Sequence, residues 1–435
     1  MATIPKLALI PSGYKAGKIY SVLPTSGVGD FDFTRNTTAT RINSSGLIET
    51  VATGVPRLNY PLIDGVVNGC PSHLLEPERT QKIQYSEAFD NAYWTKTGLS
   101  VVSGFTSPKG DLSAFKLVED TSTALRYCHE TFSVVSGNNY TYSFFAKYNG
   151  RYLQLSSSTA FPSSHINYDL QNGTLSIGSG ATVSGTIEEL TDGYYRCTYT
   201  DTANSTSVNG LIIPLLSNST TASKNISYTG DGTSGIYLFG AQFEEGSYAT
   251  SYIPNYGTAA GITRSAETAN GAGDASTFND SEGVLMAEIS ALNEDTIIEA
   301  ISISNGTGDN RVVFMKWNVL NQIKARVTSG GSQQFDVNIN VPSVTDNNKL
   351  ALKYKANDFS AWVNGFKLAI DTSGIAPVGL NRLEFNSNGS NSAPFYGNTK
   401  QIQYYDSALN DSDLETLTSW TSFTDMAQGQ QYSIK

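Results

Sequence analysis

The sequence contains little charge, few cysteines and no long hydrophobic run. Charged residues make up 15% of its 435 residues, and the net charge is −11. A protein that follows a phosphate backbone needs a basic stripe, and no Lys/Arg block occurs here, so we expect no nucleic-acid binding. No apolar stretch reaches the roughly 18 residues of a membrane span, so we expect no membrane insertion. The acidic balance instead indicates a soluble, self-repelling surface.

Cysteine is too scarce to build a disulfide framework. The three cysteines, Cys70, Cys128 and Cys197, are an odd number, and we expect Cys128 and Cys197 to be buried free thiols in strands. The N-terminus lacks the apolar core and cleavage site of a secretory signal. We therefore expect synthesis in a cytoplasm.

The signatures of common catalytic and metal sites are missing as well. The histidines His73, His129 and His165 are scattered, and neither His-x-x-x-His nor Cys-x-x-Cys occurs. The nucleophile elbow Gly-x-Ser-x-Gly and the phosphate-binding Gly-x-x-x-x-Gly-Lys are absent. The adjacent acids Glu244 and Glu245 would point to opposite faces of a strand, so they do not form a hydrolase pair. The sequence predicts a protein without catalytic activity and without a required cofactor.

A lyase is the fairer enzymatic alternative. Such sandwiches set Arg, Gln, His and Tyr on one concave face, and Arg151, Tyr152, Gln154, His165 and Tyr168 supply these residue types. In this chain the tyrosines are better interpreted as residues of ordinary strand faces. A polysaccharide depolymerase, whether lyase or hydrolase, therefore stays an alternative function.

Glycine, tyrosine and phenylalanine are plentiful, with 39, 24 and 19 residues. Together with short alternating apolar and polar runs between turn residues, this composition predicts an all-β protein. We expect an extended N-terminal segment followed by two β-sandwich, or jelly-roll, domains. No 20–50-residue repeat is evident.

The strongest local signal lies near the C-terminus. Residues 361–370 alternate around Asn364-Gly365, which predicts a β-hairpin, and residues 401–405 predict a further strand. A helix is expected at 411–420, capped by Asp411 or Ser412. This order resembles the closing segment of a laminin-G or concanavalin-like lectin sandwich, and the resemblance implies binding of glycans or proteins without chemistry.

Residues 1–82 are interrupted by turns and could bury little as an isolated chain. Their motifs are Asp32-Phe-Thr-Arg, Val55-Pro-Arg and Leu74-Leu-Glu-Pro-Glu-Arg-Thr, followed by Tyr85-Ser-Glu-Ala-Phe and Tyr93-Trp-Thr-Lys. Over about the first hundred residues this series is similar to the N-terminal region of tailed-bacteriophage fibre and head-spike proteins. The resemblance implies a virion-surface protein made in the host bacterial cytoplasm. It also implies that residues 1–82 attach to phage capsid or tail proteins and hold a homotrimer together.

The remaining chain divides into four parts. Residues 83–256, with Gly193-Tyr-Tyr-Arg-Cys, Gly240-Ala-Gln-Phe-Glu-Glu-Gly and Ser251-Tyr-Ile-Pro, resemble the carbohydrate-binding-module-like sandwich of phage fibres. In that family the last strand leads into Thr-Arg-Ser-Ala, which is found here at 263–266. We expect a linker at 257–281, a laminin-G-like sandwich at 282–423 and a tail at 424–435.

Two loops are candidate binding sites. The turn around Asp231 offers a carboxylate and carbonyl oxygens to a calcium ion, although an ordinary Asp-Gly turn is the simpler interpretation. The loop 386–398 carries Asn386, Asn388, Asn391 and Tyr396, and amides beside an exposed aromatic ring are what a sugar site needs. We therefore expect multivalent adhesion to host-surface polysaccharide. A purely structural capsid or tail decoration protein is the other alternative.

Overall fold

The computed structural model describes residues 4–178, 182–388 and 392–420. Strands dominate these ranges, which confirms the predicted all-β class. Within them the only α-helix is Asp411–Thr418, and Thr191–Gly193 forms a short 3-10 turn. Among the described residues no helix is long and apolar enough to span a membrane.

The first sandwich consists of two antiparallel sheets, and each strand lies beside the next one named. Sheet 1 contains the strands Thr95–Thr97, Tyr127–His129, Ser207–Ser217, Tyr152–Ser158, His165–Asp169 and Thr174–Ile177, with Phe132–Val134 also paired to Ser207–Ser217. Sheet 2 contains Leu99–Phe105, Ala114–Glu119, Gly235–Glu245, Asn139–Asn149, Tyr195–Thr202 and Ile187–Glu189.

The core between sheets 1 and 2 is rich in aromatic residues. Phe243 stacks on Phe132 with ring centroids 4.2 Å apart, and on Tyr140 at 5.4 Å. Cys128 and Cys197 are buried free thiols, as the sequence predicted. Burial raises the pKa of the Cys128 thiol to about 12, so this cysteine is an inert core residue.

The second sandwich also has two main sheets. Sheet 3 contains Phe366–Asp371, Phe359–Val363, Asn348–Lys355, Glu282–Ala291, Gly397–Tyr405, Ser72–Leu75 and Arg57–Asn59, and Leu7–Leu9 also pairs with Gly397–Tyr405. Sheet 4 contains Ser332–Asn340, Gln322–Ser329, Arg311–Lys316, Glu299–Ser304 and Arg382–Glu384. Their facing sides share one aliphatic and aromatic core.

The N-terminal segment is part of this second sandwich. Leu7, Leu9, Phe31 and Leu75 are at most 2% exposed and belong to its core. The sequence could not show this, because the partner strand Gly397–Tyr405 lies more than 300 residues further along the chain. The expectation that residues 1–82 cannot bury a core alone holds only for the isolated segment. In the structure they bury one against the same chain.

Residues 257–281 differ from the expected linker. Ile262–Arg264 pairs with Arg79–Gln81, and Thr268–Asn270 pairs with Phe31–Thr34. Phe278 is 5% exposed and packs in the core of the second sandwich. Small residues were a misleading signal here, because their backbone pairs with strands that the local sequence does not reveal.

Short ribbons lie outside the four main sheets. Their strands are Tyr14–Lys15, Lys18–Ile19, Ala39–Ile42, Ile48–Val51, Leu62–Ile63, Val66–Val67, Thr123–Ala124 and Tyr228–Thr229. They pair as consecutive hairpins except for the last two, which pair with each other across the first sandwich.

The predicted hairpin is confirmed. Val363 lies opposite Phe366, and the two turn residues Asn364 and Gly365 have φ values of +50° and +88°, as a tight primed turn requires. The predicted helix is confirmed at Asp411–Thr418, but its N-cap is Asn410, whose side chain accepts a hydrogen bond from the backbone of Asp413. The sequence-based choice of Asp411 or Ser412 as cap was wrong by one or two residues.

Candidate functional site

The predicted glycan-binding loop runs beside strand Glu299–Ser304 of sheet 4, where Ala300 and Pro394 form a β-bridge. Ala300 donates its backbone N–H to the carbonyl of Ala393 at 2.9 Å, and the Ser302 hydroxyl donates to the carbonyl of Asn386 at 2.7 Å. Phe395 is buried in the core. The loop is therefore anchored at several points, and only some of its side chains face solvent.

The predicted site residues have different environments. Asn386 is 1% exposed, and its amide donates to Asn270 at 3.0 Å and accepts from the backbone of Asn388. The buried Asn386 thus ties the loop down and is a poor candidate for ligand contact. Asn388 and Tyr396 are partly exposed. Asn391 lies outside the described residues.

Tyr396 lies beside a buried carboxyl group. Glu299 is 6% exposed, its Oε1 is 3.7 Å from Nζ of Lys316, and its Oε2 has no hydrogen-bond partner among the described residues. Burial raises the pKa of Glu299 to about 7, and Lys316 opposes this effect while Asp295 adds to it. The backbone of Tyr396 also faces this carboxyl group.

Two residues from other parts of the chain complete this environment. The guanidinium of Arg79 lies over the ring of Tyr248, 5.3 Å from its centroid. Burial raises the pKa values of Tyr248 and Tyr396, the charge of Glu299 adds to this effect at both, and the charge of Arg79 opposes it. Nε of Arg79 has no hydrogen-bond partner among the described residues, and Glu244 is 3.9 Å away.

We call Arg79, Tyr248, Glu299 and Tyr396 the junction cluster. It lies where the first sandwich, the second sandwich and the segment before Lys82 meet. Its two aromatic rings and the guanidinium of Arg79 are partly exposed, whereas Oε2 of Glu299 and Nε of Arg79, which have no hydrogen-bond partner among the described residues, are buried. Rings that can stack on a sugar and groups that can bond its hydroxyls are the components of a saccharide site. Sequence reasoning identified Tyr396 alone.

The Asp231 turn does not fit a calcium ion. Its Oδ1 accepts from the backbone N–H groups of Thr233 and Ser234, both at 2.7 Å, and its Oδ2 accepts from the Ser234 hydroxyl at 2.6 Å and from Arg151 at 3.2 Å. Hydrogen bonds lower the pKa of Asp231, and the largest effect comes from the bond that the Ser234 hydroxyl donates. Calcium needs six to eight oxygen ligands, whereas donors surround this carboxylate.

More generally, the described ranges contain no group of three or more His, Cys, Asp or Glu side chains that could hold a metal ion.

The lyase-type residues are not gathered at an open face. Gln154 donates to the carbonyl of Ser223 at 3.1 Å, and a ring nitrogen of His165 lies 3.2 Å from the carbonyl of Ala222. The loop that carries these carbonyls thus covers that face of sheet 1. Tyr168 points into the core, and Arg151 is paired with Glu119.

The two adjacent acids are separated as the strand pattern predicted. Glu244 is fully buried and accepts hydrogen bonds from the backbone and hydroxyl of Thr250, both at 2.8 Å. Glu245 is exposed. They do not form a catalytic pair.

A buried ionic network joins the motifs that carried the phage-protein resemblance. Arg35, Arg57 and Arg264 meet Glu76 and Glu267, and all five residues are at most 3% exposed. Arg57 binds both acids, with 2.8 Å to Glu76, and Arg35 lies 2.7 Å from Glu267. Arg264 lies 2.8 Å from Glu76. A network this enclosed cannot contact a ligand, so its role is structural.

A cleft of about 370 Å³ opens between the first sandwich and the N-terminal ribbons. Four chain segments line it, namely residues 37–39, Thr50, residues 252–254 and residues 261–263. This volume is within the usual range of small-molecule sites. No sequence motif predicted the cleft, because its walls come from distant segments.

No protein-family model and no curated protein matches the chain. Among solved structures, it is similar to the carbohydrate-binding module CBM40 of the Ruminococcus gnavus IT-sialidase bound to α2,3-sialyllactose. The identity is 20%, the match covers 34% of this chain and 88% of that chain, and the TM-score is 0.29. The NanB sialidase of Streptococcus pneumoniae matches at 13% identity over 34% of this chain and 26% of that chain, with a TM-score of 0.29.

The mouse laminin α1 domains LG4-5 match at 10% identity over 73% of this chain and 96% of that chain, with a TM-score of 0.23. The neighbours are thus of the carbohydrate-binding-module and laminin-G kinds. At these scores no conclusion about a ligand rests on them.

Proposed function

We propose that this chain is a non-catalytic, glycan-binding subunit of a bacteriophage fibre or head spike. The observation that carries the binding function is the junction cluster, where the rings of Tyr248 and Tyr396 and the guanidinium of Arg79 are partly exposed. The phage assignment rests on the motifs of the first hundred residues. Arg35, Arg57 and Glu76 of these motifs belong to the buried network.

Binding at the junction cluster would use stacking and hydrogen bonds together. The rings of Tyr396 and Tyr248 offer apolar faces to the C–H groups of a sugar, while the partly exposed guanidinium of Arg79 bonds its hydroxyls. Tyr396 is held by its buried neighbour Phe395, and Arg79 by the strand pair with Ile262–Arg264. Binding of a sugar would therefore require little ordering of these two side chains.

A single site of this kind is weak, with an affinity on the order of mM, and copies on one particle multiply it through effective concentration. We therefore propose a homotrimer on the virion surface, attached to capsid or tail proteins. The ligand would be host-surface polysaccharide, and no cofactor takes part.

Binding of full-length protein to host envelope polysaccharide tests this proposal. Tyr396→Ala and Tyr248→Ala should each weaken binding about tenfold, since each removes a stacking face worth roughly 1–1.5 kcal/mol. Tyr256→Ala is the matched control, because Tyr256 is 69% exposed and lies outside the cluster. All three variants should keep the melting temperature of the wild type.

Three outcomes would contradict the proposal. Equal binding by all variants would move the site elsewhere. No binding at any salt concentration would favour a decoration protein. Shortening of the polysaccharide chains would favour a depolymerase. Immunogold labelling of virions with an antibody to this chain separately tests the phage assignment, and unlabelled particles would refute it.

A further inference from the structure

The 370 Å³ cleft is preformed. On its floor, the hydroxyl of Tyr252 lies 2.8 Å from the hydroxyl of Ser86, and the Tyr252 carbonyl accepts from Thr40 at 2.5 Å. The backbone N–H of Ile253 donates to Gln242 at 2.7 Å. Tyr252 and Ile253 are at most 4% exposed. Their positions are set by internal hydrogen bonds, so a ligand would not have to order them.

The wall facing the N-terminal ribbons is equally fixed. The hydroxyl of Thr37 accepts from the backbone of Ser265 at 2.9 Å, and the Thr37 carbonyl accepts from Nε of Arg35 at 2.8 Å. Arg35 is itself held by Glu267 in the buried ionic network. The buried ionic network therefore holds this wall of the cleft in place, and its charged groups pair with one another.

The chemistry of the lining selects a kind of ligand. Ile253, Pro254 and Ile262 provide apolar surface, and Thr38, Thr50 and Thr263 provide hydroxyl and methyl groups at the exposed rim. Among the residues that the structure describes, no charged side chain lines the cleft. A charged ligand group placed there would lose hydration without gaining a partner. A neutral ligand with both hydroxyls and an apolar group meets no such penalty.

We propose that this cleft is a second saccharide site that takes a neutral sugar unit bearing a methyl or acetamido group. The apolar group would lie against Ile253 and Ile262, and the ring hydroxyls would bond the threonine hydroxyls of the rim. The choice of sugar as ligand class rests on the proposed function. The site itself shares no side chain with the junction cluster, so the two are separable by mutation.

The probes are N-acetylglucosamine and methyl α-L-rhamnoside, with glucuronate as the charged control. Binding to the full-length protein is measured by saturation-transfer NMR. Thr38→Trp should fill the cleft and reduce binding of the neutral sugars about tenfold or more. Thr50→Val keeps the β-branched shape but removes one rim hydroxyl, and we expect a loss of a few-fold. The matched control is Thr131→Trp, at an exposed position in the first sandwich.

The site is refuted if folded Thr38→Trp and Thr50→Val proteins bind both neutral sugars as the wild type does. It is also refuted if neither neutral sugar binds, if glucuronate binds better, or if Thr38→Trp changes only the oligomeric state. Tyr396→Ala separates the two proposals. Tyr396→Ala should weaken polysaccharide binding and leave binding of the neutral monosaccharides in the cleft unchanged. If Tyr396→Ala abolishes monosaccharide binding as well, the cleft is not a separate site. If Tyr396→Ala binds polysaccharide as the wild type does while Thr38→Trp loses the monosaccharides, the junction cluster fails and the cleft stands.

Discussion

Replacing Glu267 with Gln should be among the most destabilising single changes in this chain. Both carboxylate oxygens are buried, and they accept from Arg35 at 2.7 Å, from Nε of Arg57 at 3.0 Å and from the backbone N–H of Glu76 at 2.9 Å. The substitution keeps the shape but removes the charge. Arg57 retains Glu76, whereas Arg35 has no other acid within ion-pair distance among the described residues.

Removing one partner of a buried ion pair leaves an uncompensated charge and costs about 3–5 kcal/mol. We expect a loss of this size in the free energy of unfolding of Glu267→Gln. The network joins the N-terminal ribbons to the ribbon Arg79–Gln81/Ile262–Arg264 between the sandwiches. The loss should therefore appear in the unfolding of both sandwiches.

Urea unfolding followed by circular dichroism and tryptophan fluorescence measures the effect. Trp94 is buried in the first sandwich, and Trp362 is buried beneath the helix of the second. Asp32→Asn is the control, because Asp32 pairs with Lys18 at 2.6 Å with 69% of its side chain exposed, and such pairs contribute less than about 1 kcal/mol. If Glu267→Gln loses no more stability than Asp32→Asn, the network does not hold the fold together.

Three further predictions follow from single features. Burial lowers the pKa of His73 from 6.5 to about 3. The unfolded chain therefore binds the proton first, and stability is lost as the pH falls from 6.5 towards 3. His73→Leu should remove about 2 kcal/mol of the loss between pH 7.5 and pH 5 in urea unfolding, and equal losses in both proteins would refute this. Gly365→Ala should lower the unfolding free energy by about 1–2 kcal/mol, because φ is +88° and the new Cβ would lie 2.7 Å from the Ser419 hydroxyl oxygen. An unchanged melting temperature of this variant would contradict the prediction. A chain starting at Lys82 should lose the second sandwich, because strands Leu7–Leu9 and Ser72–Leu75 are missing. Light scattering and circular dichroism showing a folded monomer would instead support a separable oligomerisation segment.

The local features of the fold could be predicted because they depend on neighbouring residues. The hairpin at Asn364-Gly365 needs two residues that tolerate positive φ between alternating strands, and both conditions are visible in the sequence. The helix cap was displaced because Asn410, Asp411 and Ser412 can all act as caps. Which one does so depends on the burial of Leu409 and Leu414 against sheet 3.

The long-range pairings could not be predicted in this way. His73 lies opposite Thr399, and Leu7 opposite Tyr404. Alternation in a strand indicates which face is buried, but it does not identify the partner strand. For the same reason residues 257–281 were interpreted as a linker, although Arg264 and Glu267 inside them are almost completely buried.

The candidate site likewise combines local features that the sequence predicts with long-range contacts that it does not predict. Tyr396 follows a buried Phe395 in a loop, so its partial exposure could be predicted from the sequence. Its neighbours Arg79, Tyr248 and Glu299 come from three separate segments, and no spacing rule connects them. Asn386 belongs to a stretch rich in Asn and Ser, yet its side-chain amide already donates an internal hydrogen bond to Asn270. Composition identifies polar loops and does not distinguish free amides from satisfied ones.

The position of the buried network helps to interpret the resemblance of this sequence to phage fibre and spike proteins. The motifs that resemble phage fibre and spike proteins supply Arg35, Arg57, Glu76 and Arg264. These side chains pair with one another and with Glu267, the residue after the last motif. An exposed ion pair tolerates substitution, whereas a buried one requires its partner to be kept. The buried residues of these motifs therefore preserve an architecture and cannot contact a ligand. On the proposed function, specificity for a host glycan would depend on partly exposed residues instead, such as Tyr248 and Tyr396.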